Sequence, residues 1–144
     1  MKIFSQNSIQ PRHTWVLLVL FGLDQWLKYL AVHGTQTHIG PVWFKFFPNR
    51  GLVFSVPIDP TFGTFIVAAA TGVILALLVY SLWRSQKIDL GLALMSTGAV
   101  SNLIDRVRFG YVVDWAYFGR WWPIFNLGDV LVAIGVLLYL GRRL

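Results

Sequence analysis

Apolar residues run along this chain in long blocks, and clusters of polar and aromatic positions separate the blocks. The longest block, 61–83, carries no charge. It is long enough for a bilayer-spanning helix, which needs about 20 mostly apolar residues. Three other blocks are interrupted. The block 14–23 meets Asp24 and Lys28 and then continues to Val32. The block 90–104 ends at Asp105-Arg106, and 130–141 begins just after Asp129. Each reaches spanning length only by including or abutting a carboxylate. The pattern predicts an all-α integral membrane protein, a single membrane-embedded domain over 1–144, with transmembrane helices at about 14–32, 61–83, 89–106 and 127–143. Asp24 and Lys28 stand where a signal peptide would place its small-residue cleavage site, so the first block reads as a retained helix.

The connections read as ordered. Residues 42–47 and 52–56 are rich in β-formers, and Pro48, Asn49 and Gly51 supply turn chemistry between them. This predicts a small extracytoplasmic β-hairpin or sheet on the membrane surface. Trp43, Trp115, Trp121 and Trp122 suit an interfacial aromatic belt.

Composition sharpens the reading. Of 144 residues, 56% are hydrophobic and 12% charged. A soluble domain carries about 25% charged residues. A water-soluble globule, a disordered chain and a coiled coil are excluded. The net charge of +6 comes from 12 basic and 6 acidic residues, and every acid is an aspartate. The basic residues sit at the ends of apolar runs and form no stripe, so membrane lipids explain them and nucleic acid does not. The chain has no cysteine, which removes disulfides, thiolate catalysis and Cys-ligated metals.

Orientation follows from the basic residues. Lys2, Arg12, Arg84, Lys87, Arg142 and Arg143 occupy three short segments on one side. Lys45, Arg50, Arg108 and Arg120 are spread over two longer loops on the other. Both termini are therefore expected in the cytoplasm. Asp24, Lys28, Asn49, Asn102, Asp105, Arg106, Asp114, Asn126 and Asp129 then gather toward the extracytoplasmic face.

Ionisable residues near a membrane interior are costly and are functional candidates by default. Structural readings compete with that. Asp24 and Lys28, spaced i,i+4, can neutralise each other. Asp105 and Arg106 can form an interfacial ion pair. Asn126 and Asp129 match an N-cap with an acid at the third helical position. Asp114 follows a strand-like apolar stretch where a carboxylate has no evident structural task. Ser101 and Ser55 have no nearby His and no suitably placed Lys base in the sequence, and His13, His33 and His38 lack metal-ligand spacing. No metal or cofactor is expected. Acid/base work by paired carboxylates remains, with one partner protonated and the other ionised. Spacing alone does not choose the pair among Asp105, Asp114 and Asp129. A small proton- or ion-coupled carrier and a non-catalytic assembly factor are the rival readings. A carrier needs polar groups in both membrane halves.

Five motifs carry a resemblance. Asp24-Gln-Trp-Leu-Lys28, Asn49-Arg-Gly-Leu-Val-Phe-Ser55, Gly98-Ala-Val-Ser-Asn-Leu-Ile-Asp-Arg106, Gly110-Tyr-Val-Val-Asp-Trp115 and Phe125-Asn-Leu-Gly-Asp129 occur in order. Together they resemble the lipoprotein signal peptidases (signal peptidase II), bacterial four-helix aspartic peptidases of the cytoplasmic (inner) membrane. The resemblance implies Asp114 and Asp129 as the catalytic pair. It implies Asn49, Asn102, Arg106 and Asn126 as polar residues lining the substrate site, Asp105 as supporting, and Asp24 and Lys28 as a structural or site-shaping pair. It implies a prolipoprotein substrate whose lipobox Cys carries diacylglyceryl, cut on the N-terminal side of that Cys. Membrane lipids are the other expected partners, and a monomer is expected. Val53 and Gly128 stand where the family usually has Ala, and Thr97 and Ser101 where it often has Gly.

Overall fold

The computed structural model describes residues 8–10, 14–51, 59–119 and 123–141. The elements are β1 (Ser8–Ile9), α1 (Trp15–Val32), β2 (Thr37–Ile39), β3 (Val42–Asn49), α2 (Pro60–Ser85), β4 (Ile88–Asp89), α3 (Leu90–Phe109), β5 (Val112–Tyr117) and α4 (Leu127–Leu140). The described chain is thus mostly helical, with a small antiparallel sheet.

Three helices start on side chains that satisfy their first free amides. Asp59 accepts from the Phe62 amide at 2.9 Å ahead of α2, where Pro60 fills the first helical position. Asp89 accepts from the Leu92 amide at 3.0 Å ahead of α3. Asn126 and Asp129 form a reciprocal capping box at α4. Two of the six aspartates therefore begin helices away from the candidate site.

Helix α3 packs against α1, α2 and α4. Its approach to α4 is backbone-close because glycines face each other in two layers. A Cβ on Gly98 would lie 2.2 Å from the Gly128 carbonyl oxygen, and one on Gly91 would lie 2.8 Å from that of Gly135. The seven-residue spacing on both helices stacks these layers on one face. Close approach lets Asn102, one turn beyond Gly98, reach the first turn of α4.

Burial is inverted relative to a soluble protein. Asp24, Ser101 and Asn126 are 0% exposed, whereas Leu18 is 74% and Trp83 73% exposed. Helices α1 and α2 are long and apolar enough to cross a membrane, and α4 is a shorter apolar helix. An apolar exterior around a polar interior is what a lipid solvent favours.

At one end, strands β2, β3 and β5 form an antiparallel sheet in that order. Phe47 faces Asp114 and Asn49 faces Val112, with a bulge between Phe44 and Phe47. The expected strand 42–47 is β3, which runs further than expected. Pro48 and Asn49, expected in a turn, continue β3 by pairing with Val113 and Val112, and among the described residues the partners of β3 are β2 and β5. The expected second strand, 52–56, lies outside the described residues. Trp43 is half exposed, but Trp115 packs its ring against Phe44, with centroids 5.2 Å apart. Trp121 and Trp122 lie outside the described residues, as do Lys2, Arg12, His13, Arg120, Arg142 and Arg143. At the other end, β1 pairs with β4 and ties the N-terminal segment to the α2–α3 connection.

Candidate active site

Strand β5 carries Asp114, a residue 1% exposed. Asn49 of β3 donates its side-chain amide to Asp114 Oδ2 at 2.9 Å. Asn126 donates its own to Asp114 Oδ1 at 2.7 Å. Asn126 is held beside β5 because its neighbour Phe125 exchanges backbone hydrogen bonds with Ala116. Burial, and then the nearby Asp129 charge, raise the Asp114 pKa from 3.8 to about 7. Hydrogen bonds from Asn49 and Asn126 and the charge of Lys28 act in the opposite direction without cancelling the rise.

Asp129 is gripped in the same way. The Asn126 backbone N–H donates to Oδ2 at 3.1 Å, and Asn102 Nδ2 donates to Oδ1 at 2.8 Å. Asn126 Oδ1 accepts from the Asp129 amide at 2.9 Å. The capping box and the polar site are therefore one structure, and the two readings of Asn126 and Asp129 do not compete. Each carboxyl is oriented by two N–H donors, and Asn126 serves both.

Behind this pair lies a buried cluster on α1 and α3. Lys28 Nζ lies 2.8 Å from Asp24 Oδ2, 2.9 Å from Asp105 Oδ2 and 2.8 Å from Asn102 Oδ1. Asp24 Oδ1 accepts from the Gly128 amide at 2.9 Å, tying α1 to α4. Asp105 accepts from the Val113 amide at 3.1 Å, tying α3 to the strand that carries Asp114. The expected ion pair between Asp105 and Arg106 is not formed. Consecutive helical side chains diverge by about 100°. Asp105 turns inward to Lys28, and the Arg106 guanidinium donates to the Gly51 carbonyl. The remaining Arg106 nitrogens, Nε and Nη1, are buried without hydrogen-bond partners among the described residues.

Ser101 does have a lysine beside it, since Lys28 Nζ is 3.2 Å from its Oγ. This is not an activated nucleophile. Ser101 donates to Asp24 at 2.5 Å, accepts from Gln25 at 2.8 Å and is 0% exposed. Lys28 is bound by two carboxylates and cannot serve as a free base. Gln25, Ser101 and the Gly51 and Gly128 backbones are contributors that sequence reasoning did not select. Among the described residues no group of three or more His, Cys, Asp or Glu is placed to hold a metal ion.

All nine residues singled out from the sequence join this network, from Asp24 and Lys28 at one end to Asn49 at the other. A helical assembly with an apolar exterior and carboxyl groups in its polar interior is a membrane protein with a buried polar site. Solved structures agree. One bacterial membrane enzyme, determined by the in meso method at 2.3 Å resolution, superposes with a TM-score of 0.79 at 25% identity, covering 95% of this chain and 90% of that one. A second, at 1.9 Å resolution, gives a TM-score of 0.75 at 26% identity, covering 96% of both chains.

Residues 16–143 match the family described as Signal peptidase (SPase) II. The lipoprotein signal peptidase of Pelodictyon phaeoclathratiforme is 35% identical, covering 83% of this chain and 82% of its own. That of Syntrophus aciditrophicus is 42% identical, covering 80% and 81%. The chain belongs to the signal peptidase II family and is a membrane peptidase. The carrier weighed from the sequence is set aside.

Proposed function

We propose that this enzyme removes the signal peptide from prolipoproteins whose lipobox Cys carries diacylglyceryl, cutting on the N-terminal side of that Cys, with Asp114 and Asp129 as its catalytic pair. The observation that carries this reading is the double grip of Asn126, whose side chain donates to Asp114 and whose backbone donates to Asp129. It holds two carboxyls in fixed orientation, and burial raises the Asp114 pKa to about 7, within reach of a proton-sharing role.

In the proposed reaction the protonated Asp114 donates a hydrogen bond to the scissile carbonyl. Asp129, in the first turn of α4, accepts a proton from the attacking water as the ionised partner. The tetrahedral intermediate collapses, and Asp129 passes that proton to the leaving amine of the lipidated Cys. Asn49, Asn102 and Asn126 keep the carboxyls aimed, and Arg106 lines the substrate side. No metal or cofactor takes part.

All four helices cross the bacterial cytoplasmic membrane in this proposal. Both termini face the cytoplasm, and the sheet lies at the extracytoplasmic surface. Pairing of β1 with β4 fits that topology, because it sets the N-terminal segment beside the connection that carries Lys87 and follows Arg84 in the last turn of α2. The substrate's apolar signal helix reaches the site laterally through lipid, and its acyl chains hold the scissile bond at interface depth. A single domain over 1–144 acting as a monomer is part of this proposal, and every polar group named comes from one chain, so the site calls for no residue from a second copy. Purified protein should shorten a diacylglyceryl-modified precursor and process the unmodified precursor far more slowly. Equal rates for the two would contradict the lipid's role, and no cleavage of either would contradict the reading.

A further inference from the structure

Lys28 touches four side-chain oxygens on two helices, and one of those contacts does more than neutralise charge. An ammonium only donates hydrogen bonds, and an ionised carboxylate only accepts them. Asn102 sits between the two, with Lys28 Nζ 2.8 Å from its Oδ1 and its Nδ2 2.8 Å from Asp129 Oδ1. The amide can be satisfied in one orientation only.

We propose that Lys28 is a positioning residue for catalysis: it locks the Asn102 amide so that an N–H faces Asp129 and thereby fixes where the proton resides in the Asp114–Asp129 pair. The proposal rests on the dyad reading above. It differs from a purely structural role, in which Lys28 only offsets the buried charges of Asp24 and Asp105. Both of those carboxylates have other anchors. Asp24 holds Ser101 and the Gly128 amide, and Asp105 holds the Val113 amide. Asn102 has no second donor to its Oδ1 among the described residues. Without Lys28 the amide keeps a single anchor, its bond to Asp129, and its buried carbonyl loses its donor, so the amide plane can swing away from the geometry that aims an N–H at Asp129.

The charged groups around the pair are Lys28 from α1, Asp105 and Arg106 from α3, and Asp24 behind Lys28. The Lys28 charge also lowers the Asp114 pKa. Its removal therefore has a pH signature in addition to a rate effect.

The test compares Asp24→Asn with the double variant Asp24→Asn/Lys28→Met. The full chain is reconstituted in lipid and assayed on a diacylglyceryl-modified precursor from pH 5 to 9. The double variant removes one charge of each sign. It should lose about ten- to a hundredfold in kcat relative to Asp24→Asn, with KM changed little. Its alkaline limb should move to higher pH. A double variant matching Asp24→Asn in kcat and pH profile would overturn the proposal. Should it fail to fold, solid-state NMR of the wild type decides, through a direct contact between Lys28 15Nζ and Asn102 13Cγ. Absence of that contact would overturn the proposal as well. Failure of the dyad reading has a different signature, because Asp114→Asn or Asp129→Asn would then stay active whatever Lys28 does.

Discussion

The side-chain amide of Asn126 donates to Asp114 across 2.7 Å, from a residue that also opens helix α4. Capping and active-site construction are thereby fused. The backbone N–H groups left unpaired at a helix start need acceptors, and Asp129 answers that need while presenting its carboxylate to the polar interior. A mutation at Asn126 therefore disturbs helix entry and both carboxyls together.

The pH profile of cleavage should be bell-shaped, with an alkaline limb near pH 7 where Asp114 gives up its proton. Asn49 donates to the carboxylate form and lowers this pKa. Asn49→Ala removes that bond, raises the pKa further and should shift the alkaline limb upward, by on the order of one pH unit. Initial rates across pH measure it. A downward shift would contradict the assignment of Asp114 as the acid.

Ser101→Ala tests the absence of serine chemistry. Asp24 keeps Lys28 and the Gly128 amide after the hydroxyl is removed. Turnover should fall by no more than about a hundredfold, the scale of losing a buried hydrogen bond to a charged group. An inactive but folded variant would revive a Ser–Lys mechanism.

The glycine layers between α3 and α4 predict opposite effects of one substitution. Gly98→Ala forces a methyl group into the Gly128 backbone and should cost roughly 2–3 kcal/mol. Gly22→Ala and Gly72→Ala meet nothing within 4 Å on α1 and α2, and each should stabilise by about 0.5–1 kcal/mol through higher helix propensity. Thermal unfolding in one detergent checks all three, and a tolerated Gly98→Ala would contradict the close approach.

Several features were legible in the sequence because they are local. The apolar blocks marked the helical segments, and the Asn126–Asp129 spacing announced a capping box. What stayed hidden depends on distant partners. Nothing near residue 105 shows that Asp105 faces Lys28 instead of its neighbour Arg106. Ser101 meets Lys28 only because α1 packs on α3. Likewise β3 pairs with residues far along the chain, so Pro48 and Asn49, which read locally as turn residues, continue the strand.

Topology is open to labelling because the chain contains no cysteine. Single cysteines at Arg50 and Gln86 lie at exposed positions at opposite ends of the described bundle. In intact bacteria an impermeant thiol reagent should label position 50 and spare position 86. The reverse pattern would invert the proposed orientation.

The most direct test of the central claim is precursor cleavage by single carboxyl variants that remain folded in the membrane. Asp114→Asn and Asp129→Asn should each lose roughly a thousandfold or more of turnover, and the double variant should be scarcely worse, because the two groups act as one unit. Asp105→Asn loosens Lys28 and the Val113 amide but should keep measurable turnover. An active Asp114→Asn beside an inactive Asp105→Asn would show that the peptidase uses a different pair.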